Sequence, residues 1–76
     1  MPVKVEDLEN LVAVQLGIRE VRSEDRIVEN LGAESADVVN IVAAVEDKYG
    51  ITVEEEELPD IVTVADLFNL VRQRIS

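Results

Sequence analysis

Apolar residues recur at three- and four-residue steps in three separate stretches of the chain. Such spacing predicts amphipathic α-helices, because residues three and four apart share one helix face. The first stretch, residues 5–16, ends at Gly17, and the second, residues 35–49, ends at Gly50. Glycine is a common stop signal at both places. The third helix is expected to open at Thr63, a capping residue. The expected inner faces are Val5, Leu8, Leu11, Val12 and Leu16; Val38, Ile41, Val42, Val45 and Tyr49; and Val64, Leu67, Phe68, Val71 and Ile75.

The segments between these helices lack a regular period. Residues 17–34 carry glycines and charged side chains and are expected to form a long loop. Its apolar side chains should pin it to the core: Ile18, Val21, Ile27, Val28 and Leu31. Residues 51–53 are expected to be an extended link that places Ile51 or Val53 in the core. Residues 54–58 predict one helical turn, ended by Pro59. The predicted fold is therefore all-α: a small four-helix bundle with three main helices and one short helix before the last, in a single domain of residues 1–76.

The charge of the chain limits its partners. Seventeen acidic and seven basic residues give a net charge of −10. Nucleic acid and anionic lipid both require clustered Lys and Arg, so neither is expected to bind, and basic protein surfaces are favoured. Like-charge repulsion also favours a monomer. No apolar run approaches the ~18 residues of a membrane span, and the N-terminus lacks the hydrophobic region of a signal peptide. We expect no membrane insertion and a cytoplasmic location.

The chain contains neither His nor Cys. This excludes a disulfide framework, a Cys nucleophile and a Ser-His-Asp triad, and it removes the usual ligands of structural zinc. Two carboxylates would still need a water-excluding pocket, which a chain of 76 residues can rarely spare from its core. The run Glu54 to Glu57 is interpreted as a solvated, self-repelling segment. We expect neither an enzyme nor a metal site.

A lone serine, Ser35, stands where the long loop ends and the second helix begins. As local structure it is typical of an N-cap, whose side-chain oxygen accepts a hydrogen bond from a backbone N–H. Glu34 and Asp37 place negative charge at the positive end of the helix dipole. This structural interpretation requires no function.

The stretch around Ser35 resembles the modification site of acyl carrier proteins. It reads Leu31-Gly32-Ala33-Glu34-Ser35-Ala36-Asp37, against Leu-Gly-Ala-Asp-Ser-Leu-Asp in the commonest form of the family. Other short patterns resemble the family in the same order: Leu16-Gly17-Ile18, residues 29–33, residues 39–42, Tyr49-Gly50-Ile51 and residues 61–64. The resemblance covers essentially the whole chain and implies the acyl carrier protein type of four-helix bundle.

By this resemblance, Ser35 is the acceptor of 4'-phosphopantetheine, donated from coenzyme A by a separate phosphopantetheinyl transferase that depends on Mg²⁺. The carrier would hold acyl groups as thioesters on this arm and present them to enzymes of fatty-acid or specialised lipid biosynthesis. Partner enzymes with basic docking surfaces would do all the chemistry, which agrees with the missing His and Cys. Carriers of the family often shelter the acyl chain between helices, and the expected pocket residues here are Val39, Val42, Ile51, Leu58 and Ile61.

The second helix departs from the family pattern beside Ser35. Glu34 replaces Asp, Ala36 replaces Leu, and Asn40 stands where Glu is common. The family docks its enzymes through this stripe, which here is expected to comprise Glu34, Ala36, Asp37, Asn40, Ala43 and Asp47. Because the stripe is smaller and less charged, steering toward general fatty-acid enzymes should be weaker, which indicates a specialised carrier. The higher helix propensity of alanine would also explain Ala36 and Ala43 without any partner.

Two other functions stay open at this point. The chain could be an unmodified acidic helical module that docks to basic proteins. It could also carry the same prosthetic group with an aminoacyl cargo, and loading by an adenylating enzyme would favour that case.

Overall fold

The computed structural model describes residues 3–75, and these residues form four helices. Helix α1 spans Val5–Leu16, α2 spans Ser35–Tyr49, a short 3₁₀ helix spans Glu55–Asp60, and α3 spans Val64–Ile75. The predicted all-α class and the order of three main helices with one short helix before the last are confirmed. Met1, Pro2 and Ser76 lie outside the described residues.

The core is a single aliphatic cluster between the three α-helices. Helix α1 lies against both α2 and α3. Every member of the three predicted inner faces except Val5 is either buried or packs against the buried cluster. No polar or charged side chain in the described part of the chain is buried. Burial of Val, Leu and Ile side chains contributes about 1.5–3 kcal/mol each, so this cluster is the main source of stability. Its members are Leu8, Val12, Ile27, Ala33, Ile41, Val42, Val45, Ile61, Val64, Leu67 and Val71.

Glycine ends both α1 and α2 by the expected stereochemistry. Gly17 has φ of 68° and Gly50 has φ of 65°, a left-handed conformation that a side chain makes unfavourable. The N–H of Ile18 donates to the carbonyl of Ala13 at 3.0 Å and the N–H of Gly17 to that of Val14 at 3.3 Å, which satisfies two carbonyls at the end of α1. The predicted helix boundaries at these glycines are confirmed.

The long loop, residues 17–34, is tied to the start of α3. Three backbone N–H groups, of Ile27, Val64 and Ala65, donate to the carbonyls of Val62, Asp25 and Ser23 at 2.9, 3.2 and 2.8 Å. Ile27 is buried, and Val21 and Leu31 pack against the core, as expected. Ile18 and Val28 do not join the cluster, so the prediction that they pin the loop is wrong. The turn that buries Ile27 directs its neighbour Val28 outward.

The link between α2 and the 3₁₀ helix is extended, as predicted. Ile51 and Val53 both pack against the core cluster. The guanidinium of Arg74, near the end of α3, donates to the carbonyl of Thr52 at 2.7 Å and pairs with Glu57. Two donors hold the pKa of the Glu57 carboxyl below its ordinary value. The larger effect comes from the backbone N–H of Glu54 and the next from the side chain of Arg74. Helix α3 thereby holds both the link and the 3₁₀ helix.

Pro59 lies inside the short helix rather than ending it, so this part of the prediction is wrong. The N–H of Glu57 donates to the carbonyl of Glu54 at 3.0 Å, and the N–H of Ile61 donates to that of Leu58 at 3.1 Å. The first turn closes before the proline and the second spans it, and neither hydrogen bond needs an N–H from Pro59. The φ near −65° that the proline ring imposes is also helical, so a six-residue helix accommodates it.

Helix α3 opens with a reciprocal cap that matches the predicted one. Asp66 N–H donates to Thr63 Oγ1 at 3.1 Å, and Thr63 N–H donates to Asp66 Oδ2 at 2.9 Å. Val62 N–H donates to the same carboxylate oxygen at 3.1 Å. These hydrogen bonds, led by that from Thr63 N–H, lower the pKa of Asp66. The carboxylate therefore stabilises the fold in its ionised form.

We expect the substitution Asp66→Asn to destabilise the protein by about 1 kcal/mol at pH 7, a typical cost of losing a cap. Because folding lowers the pKa of Asp66, its contribution is complete above the unfolded value of about 3.9 and disappears as the pH falls through the folded value. Urea unfolding from pH 7 to pH 2.5 should show the two proteins converging at low pH. Asp60→Asn is the matched control, since it removes the same charge from an exposed carboxylate. A constant difference across this range would contradict the assignment.

Candidate functional site

Ser35 is the first residue of α2 and its side chain is exposed. The N-cap is Glu34, which has extended backbone angles of φ −91° and ψ 168°. The prediction that Ser35 is the N-cap is therefore wrong. The residue that flanks the first helical turn is Glu34, one position earlier than predicted. Its N–H donates to Asp37 Oδ2 at 2.9 Å. Within residues 3–75 the Ser35 hydroxyl has no hydrogen-bond partner, so the described fold does not use it.

An open groove of about 390 Å³ lies between α2, the long loop and the 3₁₀ helix, and Ser35 is one of its lining residues. Its walls are mostly aliphatic: Arg26, Val28, Glu29, Ser35, Val38, Val39, Leu58, Pro59, Ile61 and Val62. Val39, Leu58 and Ile61 were expected in an acyl pocket, and the structure brings them together beside Ser35. Val42 and Ile51 do not line the groove: Val42 is buried in the core, and Ile51 packs against it.

The opening of the groove is apolar. Val28 and Val39 are each 52% exposed and Val62 is 42% exposed, which makes them three of the four exposed large apolar side chains in the described chain. Sequence reasoning missed Val28 and Val62 as groove residues. Each directly follows a buried isoleucine, Ile27 or Ile61, and this adjacency was the available signal. Covering these valines would remove apolar surface from water.

An ion pair lies at the edge of the groove. Arg26 Nη1 is 2.8 Å from Glu29 Oε2, and both side chains are more than half exposed. No pattern in the sequence indicated either residue, because a charged pair in a loop is usually a solvated surface feature.

The expected docking stripe lies on the outer side of α2. Glu34, Ala36, Asn40, Ala43 and Asp47 are all exposed. Asp37 is only partly exposed, and its carboxylate accepts the Glu34 N–H, so it is engaged in capping the helix. The half-exposed Val39 lies beside this stripe as well as in the groove. The stripe thus combines two exposed carboxylates, Glu34 and Asp47, with a small apolar area.

Residues 3–75 contain neither a cluster of metal-ligating side chains nor a helix suited to span a membrane. No group of three or more Asp or Glu side chains between residues 3 and 75 is arranged to hold a metal ion. Over the same residues, no helix has the length and apolarity needed to cross a membrane. The geometry at Ser35 presents a hydroxyl to solvent without a hydrogen-bonded base, which suits modification by another protein.

Comparison with known proteins defines the class of this site. A family model described as "Phosphopantetheine attachment site" matches residues 6–71. The chain is 42% identical over 64 residues to an acyl carrier protein of Wolinella succinogenes, covering 82% of this chain and 84% of the relative. It is 33% identical over 70 residues to an acyl carrier protein of Campylobacter curvus, covering 90% and 91% of the two chains. An acyl carrier protein of Helicobacter pylori is 38% identical over 64 residues, with 82% of each chain covered.

The fold, the exposed serine and these matches define a phosphopantetheine carrier domain. The chain belongs to the acyl carrier protein family. It is accordingly a carrier and not an enzyme, with 4'-phosphopantetheine as its covalent cofactor, and it interacts with a phosphopantetheinyl transferase and acyl-handling enzymes. The residues fit this group, because the Ser35 hydroxyl is exposed at a helix N-terminus, where backbone N–H groups and the helix dipole favour a phosphodiester anion.

Proposed function

We propose that Ser35 carries 4'-phosphopantetheine and that the chain, as a single monomeric carrier domain in the cytoplasm, presents acyl thioesters to lipid-synthesising enzymes. The observation that carries this proposal is the exposed Ser35 hydroxyl, free of hydrogen bonds in residues 3–75, among the residues that line an apolar groove. A hydroxyl that capped its helix would be less available for modification. Here the Asp37 carboxylate accepts the N–H of the N-cap residue Glu34, and the Ser35 hydroxyl is left accessible.

The protein contributes position and shelter to the chemistry. When bound, the prosthetic group supplies the thiol that holds the acyl chain as a thioester. The N-terminus of α2 stabilises negative charge on a phosphate attached to Ser35 Oγ. The groove beside Ser35 offers an aliphatic surface on which part of an acyl chain can be covered. Transfer of the acyl group is left to the partner enzymes.

The lining of the groove supports an acyl cargo over an aminoacyl one. Val38, Val39, Leu58 and Ile61 present hydrocarbon surface, which gains free energy by covering methylene groups. An aminoacyl thioester carries an ammonium group, and the removal of that charge from water is costly unless it is paired. We therefore propose fatty-acid or related lipid biosynthesis as the pathway class, with Val42 and Ile51 as supporting residues behind the groove.

We further propose that the exposed stripe Glu34, Ala36, Asp37, Asn40, Ala43 and Asp47 docks partner enzymes and favours a specialised set of them. Of its three carboxylates, Asp37 is partly exposed and already engaged at the helix start. Because one carboxylate of the stripe is engaged in this way, electrostatic steering of the stripe toward strongly basic enzyme surfaces is weaker. The small side chains Ala36 and Ala43 leave the surface flatter than one with larger residues.

The substitution Asn40→Glu should raise kcat/KM with general fatty-acid synthase enzymes several-fold at low salt, because it adds a carboxylate in the middle of the stripe. The effect should shrink as salt screens exposed charges. Asn10→Glu on α1 is the matched control, since it makes the same change at an exposed position outside the stripe. If the unmodified chain is already used as fast as a housekeeping carrier, the proposal of specialised partners is wrong.

The attachment itself is tested by intact mass spectrometry. The protein is incubated with coenzyme A, Mg²⁺ and a broad-specificity phosphopantetheinyl transferase. The expected result is a mass gain of one phosphopantetheine. No gain in this reaction, and none on protein purified from its native host, would favour the unmodified interaction module instead.

A further inference from the structure

Arg26 is the one cationic side chain among the ten residues that line the groove. The charges around it are negative: Glu29 lines the same groove, and Glu34 and Asp37 flank Ser35 in the chain. The whole protein carries a net charge of −10. An anionic phosphate attached to Ser35 therefore enters a surface that repels it, with Arg26 as the opposite charge in its groove.

The backbone of Arg26 is held by several hydrogen bonds, whereas its side chain is exposed. Its N–H donates to Asn30 Oδ1 at 2.8 Å, and its carbonyl accepts from the N–H groups of Asn30 and Leu31 at 2.8 and 3.2 Å. Arg26 also forms an isolated antiparallel bridge with Thr63, before α3. These bonds fix the starting point of the side chain beside the groove. The guanidinium itself is exposed and contacts Glu29.

The pair that Arg26 makes with Glu29 is easily exchanged. Exposed ion pairs at this spacing contribute little to stability, because water and salt screen them. A phosphodiester offers oxygens to which a guanidinium can donate two parallel hydrogen bonds, a geometry that Arg favours. The N-terminus of α2 attracts the same anion. A phosphate at Ser35 therefore competes well with Glu29 for the guanidinium.

We infer that Arg26 is a positioning residue for the phosphodiester at Ser35. The inference rests on the proposed function, in which Ser35 carries the arm. The guanidinium leaves Glu29 and donates to the phosphate oxygens from the groove side, so only hydrogen bonds are exchanged. The first segment of the arm is then held over the groove instead of extending into solvent. An acyl chain on that arm begins next to the apolar lining, which assists its entry.

The test uses the phosphopantetheinylated protein, confirmed by intact mass, and measures its ³¹P NMR signal at low and high salt. The expected result is a phosphodiester shift that depends on salt in the unsubstituted protein, because salt weakens an exposed ion pair. This dependence should be lost in Arg26→Gln. Arg22→Gln is the matched control: it removes the same charge from an exposed arginine of the same loop, outside the groove, and it should retain the dependence.

Glu29→Gln is the reverse test, since it removes the competitor. Its ³¹P shift should resist higher salt than that of the unsubstituted protein. The side-chain Nε–H signal of Arg26 should also move when the arm is attached. Identical behaviour of Arg26→Gln and Arg22→Gln, with the arm present on both, would overturn the inference while leaving the attachment site intact. Absence of the mass gain would instead reject the proposed function, and the inference with it.

Discussion

The substitution Ser35→Ala is expected to abolish phosphopantetheinylation completely while leaving the fold intact. None of the other nine residues that line the groove has a hydroxyl group. The stability should change by less than about 0.5 kcal/mol, as for exposed substitutions away from special contacts. The reason is that the Ser35 hydroxyl makes no hydrogen bond within residues 3–75, whereas the hydrogen bond at the start of α2 joins Glu34 N–H to the Asp37 carboxylate. Intact mass and thermal unfolding measure the two effects separately.

Ser23→Ala is the matched control for this experiment. Ser23 lies in the long loop. Its backbone carbonyl accepts the N–H of Ala65, and the substitution retains this hydrogen bond. This variant should gain one phosphopantetheine like the unsubstituted protein. A full mass gain on Ser35→Ala would place the attachment elsewhere. A large loss of stability in Ser35→Ala would show that the serine has a structural role.

A medium-length acyl chain on the arm should stabilise the fold substantially. An octanoyl group has six more carbons than an acetyl group, and each buried methylene contributes about 0.8 kcal/mol. The groove is open, so partial coverage should yield about 2–3 kcal/mol, which corresponds to a rise in Tm of roughly 10–20 °C for a domain of this size. Calorimetry of the acetyl-, butyryl-, hexanoyl- and octanoyl-loaded protein should show Tm increasing with chain length until the groove is filled.

Val39→Glu should reduce this dependence on chain length, because it places a carboxylate on the groove wall beside Ser35. Val14→Glu is the matched control, since Val14 on α1 is also an exposed valine and lies outside the groove. It should preserve the full increase. Tm values that are independent of chain length in the unsubstituted protein would mean that the acyl chain stays in solvent, and the proposed shelter would be rejected.

The helices were predictable because the apolar residues of each inner face recur at three- and four-residue steps along the chain. Leu67 and Val71 lie four residues apart and are both buried, and Gly17 and Gly50 end their helices at the expected residues. The cap by Asp66 was also predictable, because its partner Thr63 is three residues away. Such features depend on short-range contacts, which a sequence pattern carries directly.

The site was less predictable because it depends on distant segments and on single backbone angles. The backbone of Glu34 is extended whereas Ser35 is already helical, so Glu34 is the N-cap even though serine is the residue type preferred there. The groove forms where the long loop meets the 3₁₀ helix, so Arg26 and Pro59 become neighbours of Ser35 only after folding. Val42 faces the core and Val39 the groove, although both are aliphatic residues of α2.

The 3₁₀ helix supplies one wall of the groove without anchoring itself deeply. None of its six residues is buried, and hydrogen bonds of the 3₁₀ type have poorer geometry than those of an α-helix. We expect this segment to be among the first to open by local fluctuation, at a free-energy cost well below that of global unfolding. We expect cargo exchange to depend on this local opening, in which Leu58 and Pro59 move aside on the microsecond to millisecond timescale. The amide protons of α1, α2 and α3 should stay protected from exchange during this motion.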